Sequence, residues 1–392
     1  IHEKVLWGVS NQESDLRGMA YGKYNQKEVL YVGDANTDMS GVIMFGECFD
    51  STSLRPFVSR VVTAMTNPGA LHTYGIAVDH NGDIYASFQK SDAVLRFTSQ
   101  TFQPIPNRAD LTPIFYFTGN MSKFVDHGDN KKDKKKDEKP GNSSTPTTID
   151  PSSTNNGTTT EKTKKNKDKK NKHKDDENNS TTTITTTRRL NNESQHRHLR
   201  TIEQPNFNEL QNISAFFAQQ KYGNIQPSDY FNGTFVQFGF PYFKHDSTER
   251  GIRSIVWVKN YTELWIANQD LNAVVIVDRE GTFLSSIWIK NPIGMYHSEH
   301  DHPNLIFISS KQKKLGGVFA FDVESRMQVR SYQSIGMNHP TGMVSYHDIL
   351  FVGDQSRNAV ITFNITTSRV IKLIIPSTKL HGEIEHIILS HC

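Results

Sequence analysis

Cysteine is nearly absent: Cys48 and Cys392 are the only two in 392 residues. So few exclude a disulfide-scaffolded mini-domain and any paired-cysteine zinc or redox motif. Long apolar runs are missing as well. The most apolar stretches, around Val274–Val277 and Ile371–Ile375, have strand length, far short of the roughly 18 to 20 residues that a membrane helix needs. The chain has no G-x-S-x-G elbow and no phosphate-binding glycine loop, so neither a serine-hydrolase nor a nucleotide-binding signature is present. Residues 131–200 contain no aromatic residue and only four hydrophobic ones, Ile149, Ile184, Leu190 and Leu199. A segment with so little apolar surface cannot offset its ordering entropy, which predicts a disordered insert over 126–205.

Charge divides along the same line. The whole chain carries a formal +3, but residues 131–200 hold 18 Lys+Arg against 10 Asp+Glu, leaving 26 against 31 elsewhere. The flanking regions are therefore mildly acidic, and without the insert their hydrophobic fraction rises to about 41%, ordinary for a globular chain. The basic runs Lys131–Lys139 and Lys162–Lys174 suit contact with polyanions. They lack interleaved aromatics, which argues against stacking on nucleic-acid bases. Outside the insert, Asn-x-Ser/Thr acceptors occur at Asn120, Asn212, Asn232, Asn260 and Asn364. Together with Cys48 and Cys392 as a candidate disulfide, they predict an extracellular or secretory-lumen glycoprotein.

Both flanks alternate with period two and are rich in β-branched and aromatic residues, which predicts an all-β chain. The strands recur as a repeat. Residues 75–97 read GIAVDHNGDIYASFQKSDAVLRF, and 341–363 read TGMVSYHDILFVGDQSRNAVITF. Further copies lie at 18–45, 251–278 and 293–322, with central strands starting near Leu30, Ile84, Leu264, Leu305 and Leu350. Apart from the interval that holds the insert, these starts are spaced near the roughly 40-to-50-residue period of a four-stranded propeller blade. Thr282–Lys290, Met327–Tyr332 and Arg369–Ile375 read as fourth strands, and Thr234–Gly239 as an outer strand of a decayed copy hidden beside the insert. The expectation is a β-propeller in two parts, 1–125 and 206–392.

The G-I-A-V-D…G-D-I-Y…V-L-R-F run of 75–97, with IANQDLNAVVIVD and VGDQSRNAVITF, resembles the NHL repeat. That resemblance implies six blades, the sixth assembled from Ile1–Ser10 and His381–Leu389, with Cys48 and Cys392 near the closure. It also implies a scaffold used by adhesion proteins, receptors and several enzymes.

Two residue groups are candidates for chemistry. Loops between second and third strands carry Asp34, Asn268, Asp270, Asp354 and Arg357, a polar rim able to bind a protein or glycan ligand or calcium. The same Asp and Asn types also brace tight turns through their own side chains. Loops entering the innermost strands carry His72, His339 and His381, whose imidazoles would suit zinc at the axis. The similar amidating lyase places histidines just before the repeat glycine, as His381 is placed here; His72 and His339 stand three residues before theirs. The functional expectation is a protein- or glycan-binding scaffold. The alternative is a metal-dependent lyase or hydrolase at the axis. HSEHDH, with His297, His300 and His302, is read as a solvated hairpin.

Overall fold

In the computed structural model the described residues are 15–36, 40–46, 58–114, 227–239, 251–312, 316–374 and 384–387. They build five antiparallel four-stranded blades. The first comprises β1 (Leu16–Tyr24), β2 (Lys27–Asp34), β3 (Gly41–Gly46) and β4 (Val58–Thr63). The second comprises β5 (Thr73–Val78), β6 (Ile84–Phe88), β7 (Ala93–Phe97) and β8 (Thr234–Gln237). The third holds β9 (Ile252–Val258), β10 (Glu263–Asn268), β11 (Ala273–Asp278) and β12 (Phe283–Trp288). The fourth holds β13 (Pro292–Ser298), β14 (His302–Ser310), β15 (Gly317–Asp322) and β16 (Gln328–Tyr332). The fifth holds β17 (Pro340–Tyr346), β18 (Ile349–Asp354), β19 (Ala359–Asn364) and β20 (Val370–Ile374). The molecule is a five-bladed β-propeller.

Burial follows strand position. β6 and β10 are buried on both faces, whereas β20 shows solvent along nearly its whole length. Interior strands can therefore be continuously apolar, while outer strands need only half a core. Each interblade seam is a separate cluster, such as Tyr85, Val94 and Phe235 against Ile255, Trp257 and Leu264. A blade alone would expose such a face, so the blades stabilise one another by stacking.

β8 pairs with β7, although 137 positions separate Phe97 from Thr234. Thr234 therefore begins the fourth strand of the second blade, and no hidden copy is needed to explain it. Residues 126–205 lie outside the described residues. So do Cys48, Cys392, Asn120 and Asn212.

The implied sixth blade is not among the described sheets. Ile384–Ile387 nevertheless occupies an informative place. A Cβ on Gly18 would strike Tyr74 O and Gly75 Cα, one on Gly75 the backbone of Arg253–Ile255, and one on Gly342 the backbone of Glu385–Ile387. The contact that joins each innermost strand to the next thus runs from β17 onto Ile384–Ile387. The other segments expected in a sixth blade, Ile1–Ser10 and most of His381–Leu389, lie outside the described residues.

Candidate functional site at the propeller axis

All five blades share one irregularity. Between first and second strands, two residues oppose one: Arg17–Gly18 against Gly33, Tyr74–Gly75 against Ser87, Arg253–Ser254 against Ala267, Ile293–Gly294 against Ser309, and Thr341–Gly342 against Gly353. A β-bulge of this kind re-aims the side chain of the extra residue. The small partner residue leaves room for the neighbouring strand. Ser87 Oγ accepts from Gly75 N at 2.7 Å and donates to Arg253 O at 2.6 Å. Ser309 Oγ links Gly294 N and Thr341 O in the same way, at 2.8 and 3.1 Å.

Three of the bulged residues, Arg17, Tyr74 and Arg253, meet with Glu385 at the axis. The Arg17 guanidinium bonds Glu385 Oε1 at 2.5 Å and pairs with Asp15 at 2.8 Å. Tyr74 Oη donates to Glu385 Oε2 at 3.3 Å, and Gln355 Nε2 donates to Oε1 at 2.9 Å. Arg253 lies over the Tyr74 ring, 4.6 Å from its centroid, and Arg17 approaches the same ring at 5.5 Å. Arg253 Nε also donates to Gln269 Oε1 at 2.8 Å. Two guanidinium groups thus share one tyrosine ring, and that of Arg17 also holds the Glu385 carboxylate, in a largely desolvated cluster where charge-assisted bonds are strong.

The electrostatics follow. Burial opposes ionisation of Glu385, but Arg17 and the Gln355 amide hold its carboxyl below the ordinary range. Burial, then Glu385, pushes the Tyr74 phenol up to about 12. His72 falls to about 4 through burial and then Arg17, His339 to about 4 through burial and then Lys311, and His386 to about 4 through burial. Three neutral imidazoles therefore surround the charged cluster at neutral pH. His72 has a left-handed backbone, φ 59°, and its Nδ1 is buried without a partner among the described residues. Among those residues no group of three His, Cys, Asp or Glu is arranged to hold a metal ion. His381 lies outside them.

Three of the polar rim residues, Asp34, Asn268 and Asp354, accept hydrogen bonds within their own loops or from elsewhere in the same blade. Asp34 is fully buried, pairs with Arg60 at 2.6 Å and accepts from Asn36 N. Asn268 Oδ1 accepts from Asp270 N and Leu271 N, and Asp354 Oδ1 from His339 N and Ser356 Oγ. The Arg357 guanidinium stands 3.9 Å from Asp354. Sequence reasoning missed Arg17, Tyr74, Arg253, Gln355 and Glu385. Aligning the residue before each repeat glycine, or the Ser254 and His386 equivalents, would have found all of these but Gln355.

The chain matches no protein-family model and no curated protein sequence. Solved structures do resemble it. A catalytically inactive virginiamycin B lyase from Staphylococcus aureus with quinupristin aligns over 97% of this chain and 76% of that one, at 9% identity and TM-score 0.43. Kuenenia stuttgartiensis hydrazine synthase aligns at 16% identity and TM-score 0.30, over 38% of this chain and 42% of that one. The WD40 repeats of RRP9 align at 12% and 0.30, over 36% and 42%. The alignments thus span under half of the latter two chains. The propeller assignment rests on the blade pairing.

Proposed function

We propose that this chain is an extracytoplasmic, NHL-like propeller that serves as a scaffold for a protein or glycan ligand, docked on the face where the axial cluster opens. One observation carries the reading. An identical backbone bulge in five blades presents five positions at the axis, and they are filled differently: Arg17, Tyr74, Arg253, Ile293 and Thr341. A repeated backbone with unlike side chains at its focus is what selective recognition needs. The sequons agree with the compartment: Asn232 and Asn260 sit exposed in turns. At Asn364 the amide Nδ2 is instead engaged with Asp348 at 2.5 Å.

The test is a screen of the full chain against secreted proteins and arrayed glycans, repeated with Arg17→Gln and Arg253→Gln. Loss of binding by tenfold or more in both variants is expected, with Tyr346→Ala at the opposite ends of the strands unaffected. Equal binding by all of them would refute the axial site.

A further inference from the structure

The face that carries the axial cluster has an outer rim of different character. Among the described residues, the three most exposed large hydrophobic side chains are Met65 at 92%, Ile335 at 91% and Trp288 at 69%. Each stands at or just beyond the end of a fourth strand. Antiparallel order puts those ends on the same side as the bulges, so all three belong to the axial face.

Two of them lie on one continuous strip. It runs from the third blade to the fifth through residues 288–291, 311–312, 333–339 and 355–358, and each segment is tied to the next. Lys311 N donates to Asn291 O at 3.1 Å, Gln312 N to Asn338 O at 3.2 Å and Gln355 N to His339 O at 3.0 Å. Asn338 N also donates to Ser356 Oγ at 3.3 Å, and Gln355 reaches Glu385 of the axial cluster. The strip is braced before any partner arrives, which lowers the ordering cost of binding.

Its charge is of one sign. The four segments contain Lys290, Lys311 and Arg357 and no Asp or Glu. Both lysines are exposed, whereas the neighbouring acid, Asp354, is fully buried. Elsewhere outside residues 131–200 acids prevail, 31 Asp+Glu against 26 Lys+Arg in all, so the strip is a local inversion. After burial, Lys311 is the main cause that lowers His339 to about 4; its field reaches toward the axis. A polyanionic glycan would engage the cations but offers nothing to Ile335, and a neutral glycan would serve neither group. Apolar side chains set among carboxylates match both.

We infer that this strip docks a protein segment in which carboxylates flank apolar side chains, with Trp288 and Ile335 as apolar anchors and Lys290 and Lys311 meeting the carboxylates. The inference rests on the axial-face reading for its choice of face, and within that reading it selects protein over glycan.

Selection of a random dodecapeptide display library on the full chain, at physiological salt, tests it. The recovered peptides should be enriched in Asp and Glu together with Leu, Phe or Trp. For the tightest of them, Trp288→Ala should weaken binding by roughly tenfold or more, as should Lys290→Glu with Lys311→Glu, at unchanged melting temperature. The inference is overturned if selection recovers no peptide or only basic or uncharged ones, or if these variants bind as tightly as the parent. It is also overturned if heparin binds more tightly than any peptide and keeps its affinity in Trp288→Ala. Arg17→Gln separates the two readings. Loss there but in neither strip variant refutes this inference and leaves the axial site standing, whereas loss in the strip variants alone supports it and refutes anchoring at the axis.

Discussion

At the residue scale, the axial cluster makes the propeller acid-sensitive. His72, His339 and His386 each titrate near 4 when folded, against about 6.5 in an unfolded chain. Between those values the unfolded state binds more protons, so stability rises with pH across the window and is lost on acidification from about 6.5 to 4. Glu385, held below its ordinary range, acts in the same direction at the lower end. Urea denaturation at pH 7 and pH 4.5 should differ by on the order of 1–3 kcal/mol, discounted because His339 and His386 are only partly buried. His72→Phe with His339→Phe should flatten the profile; an unchanged slope would show that other groups govern it. Asp34, Asn268 and Asp354 illustrate a second residue-scale point. Their types, at the ends of second strands, were legible in the sequence, but the same oxygens serve a ligand or a turn. Only the geometry shows Asp34 engaged with Arg60 and Asn268 with its own loop.

The element that defines this propeller is the bulge. Every blade changes register at the same place, and the small residues opposite it, Gly33, Ser87, Ala267, Ser309 and Gly353, admit the next strand. Gly294 shows how tight that approach is: an added Cβ would stand 2.1 Å from Thr341 O. The five strand triplets were readable from alternation because a twisted blade needs period two on both faces. The fourth strand β4 was not read, although the Thr66–Gly69 run, TNPG, marks a turn just beyond it. The second blade raises a separate question, because its third and fourth strands flank the insert. Ile114 bridges Phe238 in parallel, with Ile114 N donating to Gln237 O and Gly239 N to Ile114 O, so the chain is pinned on both sides. Deleting 126–205 should therefore change the melting temperature by no more than a few degrees, checked by calorimetry. A larger loss would mean that the insert stabilises the blades.

At the scale of the whole molecule, Ile384–Ile387 carries an influence out of proportion to its length. Glu385 gathers bonds from Arg17 of β1, Tyr74 of β5 and Gln355 beyond β18, while Thr341 Oγ1 donates to Ile384 O at 2.7 Å. It thereby links the first, second and fifth blades. Truncation after Pro376 leaves Arg17 without its buried partner, which typically costs about 3 kcal/mol or more. The truncated chain should lose more stability than the insert deletion, although it removes far fewer residues. Glu385→Gln should show part of the same loss, and equal melting temperatures for parent and truncated chains would refute the linkage.

The sequence by itself determined the β class, the blade period, the five copies and the separation of a basic, aromatic-free insert from an acidic ring. These are properties of composition and local alternation, which any strand must satisfy whatever its neighbours. Tertiary structure alone decided that five four-stranded blades form and that Thr234–Gln237 completes the second of them. It also decided that Arg17, Tyr74, Arg253 and Glu385 converge, although 368 positions separate the first from the last. Convergence at an axis depends on how blades stack and where bulges re-aim side chains, and neither is encoded in the periodicity of a single strand.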